Sequence, residues 1–267
     1  MSRCLAISAV LTVLLSIGVH LASRRTFPVH ETGGVLVTGA SSGIGLHAAA
    51  GLAAAGYTTF VGVRSRTDGD RIQAENPALQ PVLLDVTQPA SIAAAHAIVS
   101  QRLADLGLPL IALVNNAGVQ SDMPVELQTA EADRWVFDVN VLGLLAVTRA
   151  FLPMLRAAGA GARIVNVGSL AGLLGSPGSA TYVGSKFAVE GISDCLRQEL
   201  QGFGISVSLI EPGYVVSRMA EKVHAEDSAP YLHLPPEQYA LYRHVFEGFF
   251  ANDRLMASPA FASSPQV

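Results

Sequence analysis

The chain has 267 residues, half of them apolar and 14% charged, which suffices for one large buried core. A net charge of −4 excludes a nucleic-acid surface, which would need clustered Lys and Arg. Two cysteines, Cys4 and Cys195, build neither a disulfide framework nor a zinc site, and the seven histidines form no ligand-spaced pair, so no metal is expected.

Residues 4–22 carry no charge, with Arg3 on one side and Arg24–Arg25 on the other. A helix of that length rises about 28 Å, enough to cross a bilayer core. Residues 1–25 are therefore expected to anchor the chain in a membrane, such as that of the endoplasmic reticulum. The alternative is a cleaved signal that leaves a secreted or soluble product, although His20, Leu21 and Ala22 before Ser23 make a poor small-x-small site. Residues 26–33, with Pro28 and Gly33, read as a linker.

From residue 34 short apolar runs alternate with longer Ala/Leu-rich segments. Strands are expected at 35–38, 58–63, 82–86, 111–115, 164–167 and 205–210, most without the polar alternation of a half-exposed sheet. Helices are expected at 44–55, 91–106, 130–157 and 181–203. This order predicts an α/β fold, a single domain over 34–257 built on a doubly wound parallel sheet with helices on both faces. Six aromatics fall between Tyr231 and Phe250, and Tyr239, Tyr242, Phe246, Phe249 and Phe250 lie at helical spacing. They either line a lipophilic pocket or simply pack their helix onto the body. Residues 258–267, rich in Ser, Ala and Pro, read as a tail. No further buried strand follows residue 210, so the last strand of the sheet is expected to be missing.

The first strand runs into Thr38-Gly39-Ala40-Ser41-Ser42-Gly43-Ile44-Gly45 at the start of a helix. Glycines let the backbone turn tightly and approach a pyrophosphate, and a helix N-terminus supplies N–H groups and partial positive charge. Asn115-Asn116-Ala117-Gly118 ends the fourth strand and faces the same crevice, since ligands sit beyond the strand C-termini of such sheets. Ser169 closes the fifth strand, and Tyr182 and Lys186 follow four apart on one helix face. Only Lys186 and Lys222 are lysines, against fifteen arginines. A nearby ammonium is expected to draw the tyrosine down towards working pH, as a general acid/base requires.

Together T-G-x-x-x-G-I-G, N-N-A-G, Asn140, Ser169, Y-x-x-x-K and Pro212-Gly213 resemble the short-chain dehydrogenase/reductase family over about residues 34–217. The stretches 186–194 and 210–213 look like its retinol and steroid dehydrogenase branch. The resemblance implies a Rossmann-like fold and subunits paired as a homodimer, a pairing that a missing last strand would disturb. It implies Tyr182 as acid/base, Ser169 hydrogen-bonded to the substrate oxygen, Lys186 on the nicotinamide ribose, and Asn140 anchoring a water in a proton relay. Gly39, Ser41, Ser42, Gly43, Ile44 and Gly45 would meet the pyrophosphate side of the cofactor, and Asp85 the adenine. Asn115, Ala117 and Gly118 would lie along the cofactor, Asn115 bracing the central sheet. Pro212, Gly213, Val215 and Ser217 would cover the carboxamide, Ser217 standing where threonine is commoner.

The second strand ends at Val63 with Arg64 next, where relatives preferring NAD place an acid. An arginine suits a 2′-phosphate, so NADP(H) is preferred, with NAD(H) as the alternative and Arg64 then stacking on adenine. The anchor and the aromatics point to a lipophilic alcohol or ketone such as a retinoid, steroid or fatty carbonyl compound. The rival from another class is a non-catalytic dinucleotide-binding membrane scaffold or sensor.

Overall fold

A computed structural model describes residues 28–215 and 230–256, with side chains given for 231–248 of the second stretch. The expected membrane anchor, the tail and Ser217 lie outside the described residues. Six parallel strands form one sheet in the order β3-β2-β1-β4-β5-β6. They are β1 (Gly34–Val37), β2 (Thr58–Val63), β3 (Leu79–Leu83), β4 (Leu110–Asn115), β5 (Arg163–Val167) and β6 (Ser206–Ile210). The helices are α1 (Gly43–Ala54), α2 (Arg66–Glu75), α3 (Pro89–Leu106), α4 (Ala130–Phe137), α5 (Leu144–Ala158), α6 (Ala180–Leu200) and α7 (Pro236–Met256).

Alternation along the strands feeds two cores. Leu36, Phe60, Leu113 and Ile164 face one layer with Val99 of α3, Phe151 of α5 and Leu196 of α6. Val35, Val37, Val61 and Ile111 face the other with Ala49 of α1 and Ile72 of α2. Each fully buried side chain of this size contributes about 1.5–3 kcal/mol by leaving water. Both faces being covered explains why the central strands β1 and β4 read as nearly unbroken apolar runs. The order reverses between β1 and β4, so the loops that follow these two strands open the crevice where such sheets bind ligands.

Three expectations need correction. The strand expected at 82–86 is β3 at Leu79–Leu83, and its Pro81 is tolerated because β3 is an edge strand. Between β2 and β3 lies α2, which the apolar pattern did not announce. In Arg-Thr-Asp-Gly-Asp-Arg-Ile-Gln-Ala-Glu only Gly69 and Ile72 are buried. Gly69 permits close packing, since a Cβ there would stand 3.1 Å from Pro81 Cβ. Third, the single helix expected at 130–157 is α4 and α5 joined by a π-helical turn, Asp138–Gly143.

Residues 130–158 are the one stretch among the described residues long and apolar enough to cross a bilayer. They are a core element, with Val136, Val139, Val147, Phe151 and Leu155 buried. Residues 28–30 hold to the body through Tyr57, whose hydroxyl donates to His30 O, and Arg163, which donates to Pro28 O. The C-terminal helix α7 kinks at Tyr242 and makes a separate small core, in which Met123, Tyr231 and Phe246 are buried with Leu127, Tyr239 and Tyr242 against them. Tyr231 and Tyr239 both stack on Phe246. Of the two readings of this aromatic face, Tyr239, Tyr242 and Phe246 follow packing.

Candidate active site

The glycine-rich turn is held from β4. Asn116 Nδ2 donates to the carbonyls of Thr38 and Gly39, and Thr38 Oγ1 accepts from the N–H groups of Asn116 and Ala117. Neither Thr38 nor Asn116 was singled out from the motif, although both lie inside it. Gly39 has φ +61°, and a Cβ on it would fall 2.6 Å from Ala117 Cα. A Cβ on Gly45 would run into Asn116 Nδ2. The two loops thus pack backbone to backbone. Ser42 precedes α1 without a side-chain cap, and the first turn holds no acid. Its N–H groups are open to an anion, the partner a pyrophosphate would be. Ser41 is fixed differently: its carbonyl accepts from Arg71 Nη2 at 2.8 Å.

At the end of β2, Val63 is buried and Arg64 is exposed, without an ion pair among the described residues. Arg71 is by contrast engaged with Glu75 at 3.0 Å. Asp85 Oδ1 accepts from the N–H and hydroxyl of Thr87, which fixes the turn after β3. Asn115 is buried beside Asn166, its neighbour in the β4–β5 register. Its Nδ2 donates to Thr148 Oγ1 and Asn166 Oδ1, while Asn166 Nδ2 donates to Ser193 Oγ, each at 2.9 Å. This ladder runs from Thr148 of α5 through Asn115 and Asn166 to Ser193 of α6.

Ser169, at the end of β5, is near enough to Tyr182 to favour its phenolate. Its Oγ also accepts from Ala171 N, which starts the short 3₁₀ turn Leu170–Gly172. Leu170 N donates to Pro212 O at 3.0 Å, so the Pro212-Gly213 segment runs directly beside Ser169. Asn140 sits inside the π-turn, a distortion frequent at functional sites. Its Oδ1 accepts from Val119 N, and its Nδ2 donates to Val119 O and Ser185 Oγ. Both amide hydrogens are thus committed to holding the loop after β4 against α6. Gly118 borders both groups: a Cβ on it would make ordinary contacts, 3.5 Å from Asn140 Oδ1 and 3.7 Å from Lys186 Nζ.

Lys186 is buried, and its Nζ donates to Val167 O at 3.0 Å. Burial lowers its pKa to about 8. The ammonium lies 5.7 Å from the Tyr182 ring centre. Tyr182 nevertheless sits above the ordinary phenol value. Burial is the main cause, the Ser169 hydrogen bond opposes it, and the charge of Asp122 adds to it. The expected lowering by Lys186 is therefore overturned: desolvation of the phenolate outweighs a neighbouring ammonium turned towards a backbone carbonyl.

Residues 34–228 match the family model for short chain dehydrogenases. The chain belongs to this family. It is 40% identical over 189 residues to a 17-beta-hydroxysteroid dehydrogenase type 6 of Bos taurus, covering 70% of this chain and 58% of that one. It is 38% identical over 190 residues to retinol dehydrogenase 16 of Homo sapiens, with the same coverage of 70% and 58%. To the mitochondrial D-beta-hydroxybutyrate dehydrogenase of Rattus norvegicus it is 35% identical, covering 68% of this chain and 54% of the relative. The chain thus spans between 54% and 58% of the length of these relatives. Among solved structures, an actinorhodin polyketide ketoreductase variant with NADPH superposes with a TM-score of 0.73 at 30% identity, covering 90% of this chain and 88% of that one.

Proposed function

We propose that this chain is an NADP(H)-dependent oxidoreductase that interconverts an alcohol and a carbonyl on a lipophilic substrate such as a retinoid, steroid or fatty carbonyl compound. The observation that carries the reading is Tyr182, next to Ser169 and one helical turn from buried Lys186, at the strand ends beside a pyrophosphate-shaped turn. Bound there, a nicotinamide cofactor supplies or accepts the hydride. Gly39, the open first turn of α1 and Asn116 behind it would hold its pyrophosphate, and Arg64 a 2′-phosphate. Asp85 would meet the adenine, and Lys186 the ribose.

With its pKa raised, Tyr182 is a phenol at neutral pH, the form that donates a proton to a carbonyl oxygen as the C–H bond forms. Ser169 donates a hydrogen bond to the same oxygen and orients it. Asn140 keeps the loop after β4 in place, and in the reverse direction Tyr182 takes up the alcohol proton. The lipophilic substrate is favoured by the relatives named for retinol and a hydroxysteroid. Against a carboxylate substrate, the charge that acts on Tyr182 from outside its own helix, among the described residues, is the acid Asp122. Anchoring of the chain through residues 4–22 belongs to the same proposal.

The test is oxidation of NADPH and NADH by the full chain in detergent, against retinoid, steroid, fatty and small hydroxy-acid-derived carbonyl compounds, with Tyr182→Phe as control. Turnover should prefer NADPH and lipophilic compounds, and fall by 10²–10⁴-fold in the variant while cofactor binding persists. Equal use of NADH would remove the role given to Arg64. NADPH binding without any turnover would favour a dinucleotide-binding scaffold.

A further inference from the structure

Asp122 lies in the loop after β4 and is only 4% exposed. Its Oδ1 accepts from Ser179 Oγ and its Oδ2 from Gln120 Nε2, each at 2.7 Å. Ser179 is the residue before α6, three positions from Tyr182, and its hydroxyl does not cap its own helix. The polar group that would ordinarily close the helix N-terminus is aimed outward at Asp122 instead. A second bond runs alongside, from Met123 N to Gly178 O. Next to Asp122, Met123 enters the small core of Tyr231 and Phe246. Asp122 is thus the point where the loop after β4, the C-terminal helix and the first turn of α6 meet.

We propose that Asp122 is a positioning residue for Tyr182: through Ser179 it fixes the first turn of α6, and its carboxylate keeps a negative charge beside the phenol. The inference rests on Tyr182 being the proton donor of the proposed reaction. Both parts act in one direction. A fixed helix start sets the phenol oxygen against Ser169, and a buried anion nearby opposes a second anion at the phenolate. The chain is thereby biased towards the protonated tyrosine that carbonyl reduction uses. Among the described residues, the other groups around Tyr182 do not supply this. Lys186 on its own helix is cationic, Ser169 is neutral, and Asp133 of α4 is spent on Thr181 Oγ1.

The experiment is a tyrosinate absorbance titration of the full chain in detergent, with Tyr182→Phe subtracted to isolate one phenol. Asp122→Asn keeps the acceptor for Ser179 and removes the charge. It should ionise Tyr182 on the order of half a unit to one unit lower in pH than the wild type. The alkaline limb of the reductive kcat/KM profile should move down by the same amount. Ser179→Ala should cut kcat with that limb in place. An Asp122→Asn titration that overlays the wild type would overturn the proposal. The titration requires no turnover, so failure of the proposed reaction and failure of this inference are told apart. Should Asp122→Asn not fold by circular dichroism, Asp122→Ser gives the same reading.

Discussion

Burial of Lys186 has a consequence for stability that can be read without any substrate. The unfolded chain titrates this lysine at its ordinary 10.5, while the folded chain does so at about 8. Below pH 8 both states hold the proton, and folding bears the full cost of burying the ammonium. Between pH 8 and 10.5 the unfolded state binds more protons, so this cost is relieved as pH rises. Urea unfolding of wild type and Lys186→Met should therefore show a stability difference that shifts in favour of the wild type across that window, by on the order of 3 kcal/mol. A difference that stays flat from pH 7 to 10.5 would sink the assignment. At this scale the sequence was informative wherever a motif carried the residue: Gly39, Asn115, Ser169, Tyr182 and Lys186 were all marked by spacing. It was silent on Asp122, since a lone acid in a loop looks like any solvated residue until its burial is known. It also misdirected the tyrosine, because a tyrosine and a lysine four apart reveal proximity but not the dielectric around them.

Among elements, β1, β2, β4, β5 and β6 were legible to within a residue: β1, β2 and β4 because strands buried on both faces are written as apolar runs, β5 and β6 because enough aliphatic residues mark them between two helices. Helix α2 was not. Its decisive features are a Ser65 side chain that accepts from Asp68 N and one buried isoleucine, which give no periodic stripe. The π-turn at Asp138–Gly143 was equally hidden, because the apolar pattern continues through it. The Asn115–Asn166 ladder binds β4, β5, α5 and α6 into one unit, so its prediction belongs here. Asn166→Ala leaves Asn115 Nδ2 and Ser193 with one partner fewer in a dry interior. It should cost about 1–3 kcal/mol in urea unfolding. The Asn115→Ala, Asn166→Ala double variant should cost less than the sum of the single ones, and strict additivity would contradict the ladder.

For the whole molecule, the parallel order brings residues as far apart in sequence as Gly39 and Tyr182 to one end of the sheet, which no local pattern could announce. The small aromatic core stands apart from the two that clothe the sheet. Phe246→Ala should accordingly free α7 without unfolding the rest. Hydrogen exchange should speed up in 236–246 and in the loop around Met123, while β1, β4 and β5 keep their protection. Uniform loss of protection would mean that the three cores are one cooperative unit. The paired asparagines of β4 and β5 also act as a ruler. Sliding one strand past the other by a residue would turn an amide into the aliphatic layer and strand its partner. Only one alignment is therefore cheap, and in that alignment Ser169, three residues past Asn166, emerges opposite the loop that follows Asn115. The gap between the two halves of the site is gauged from beneath, by the strands rather than by the loops.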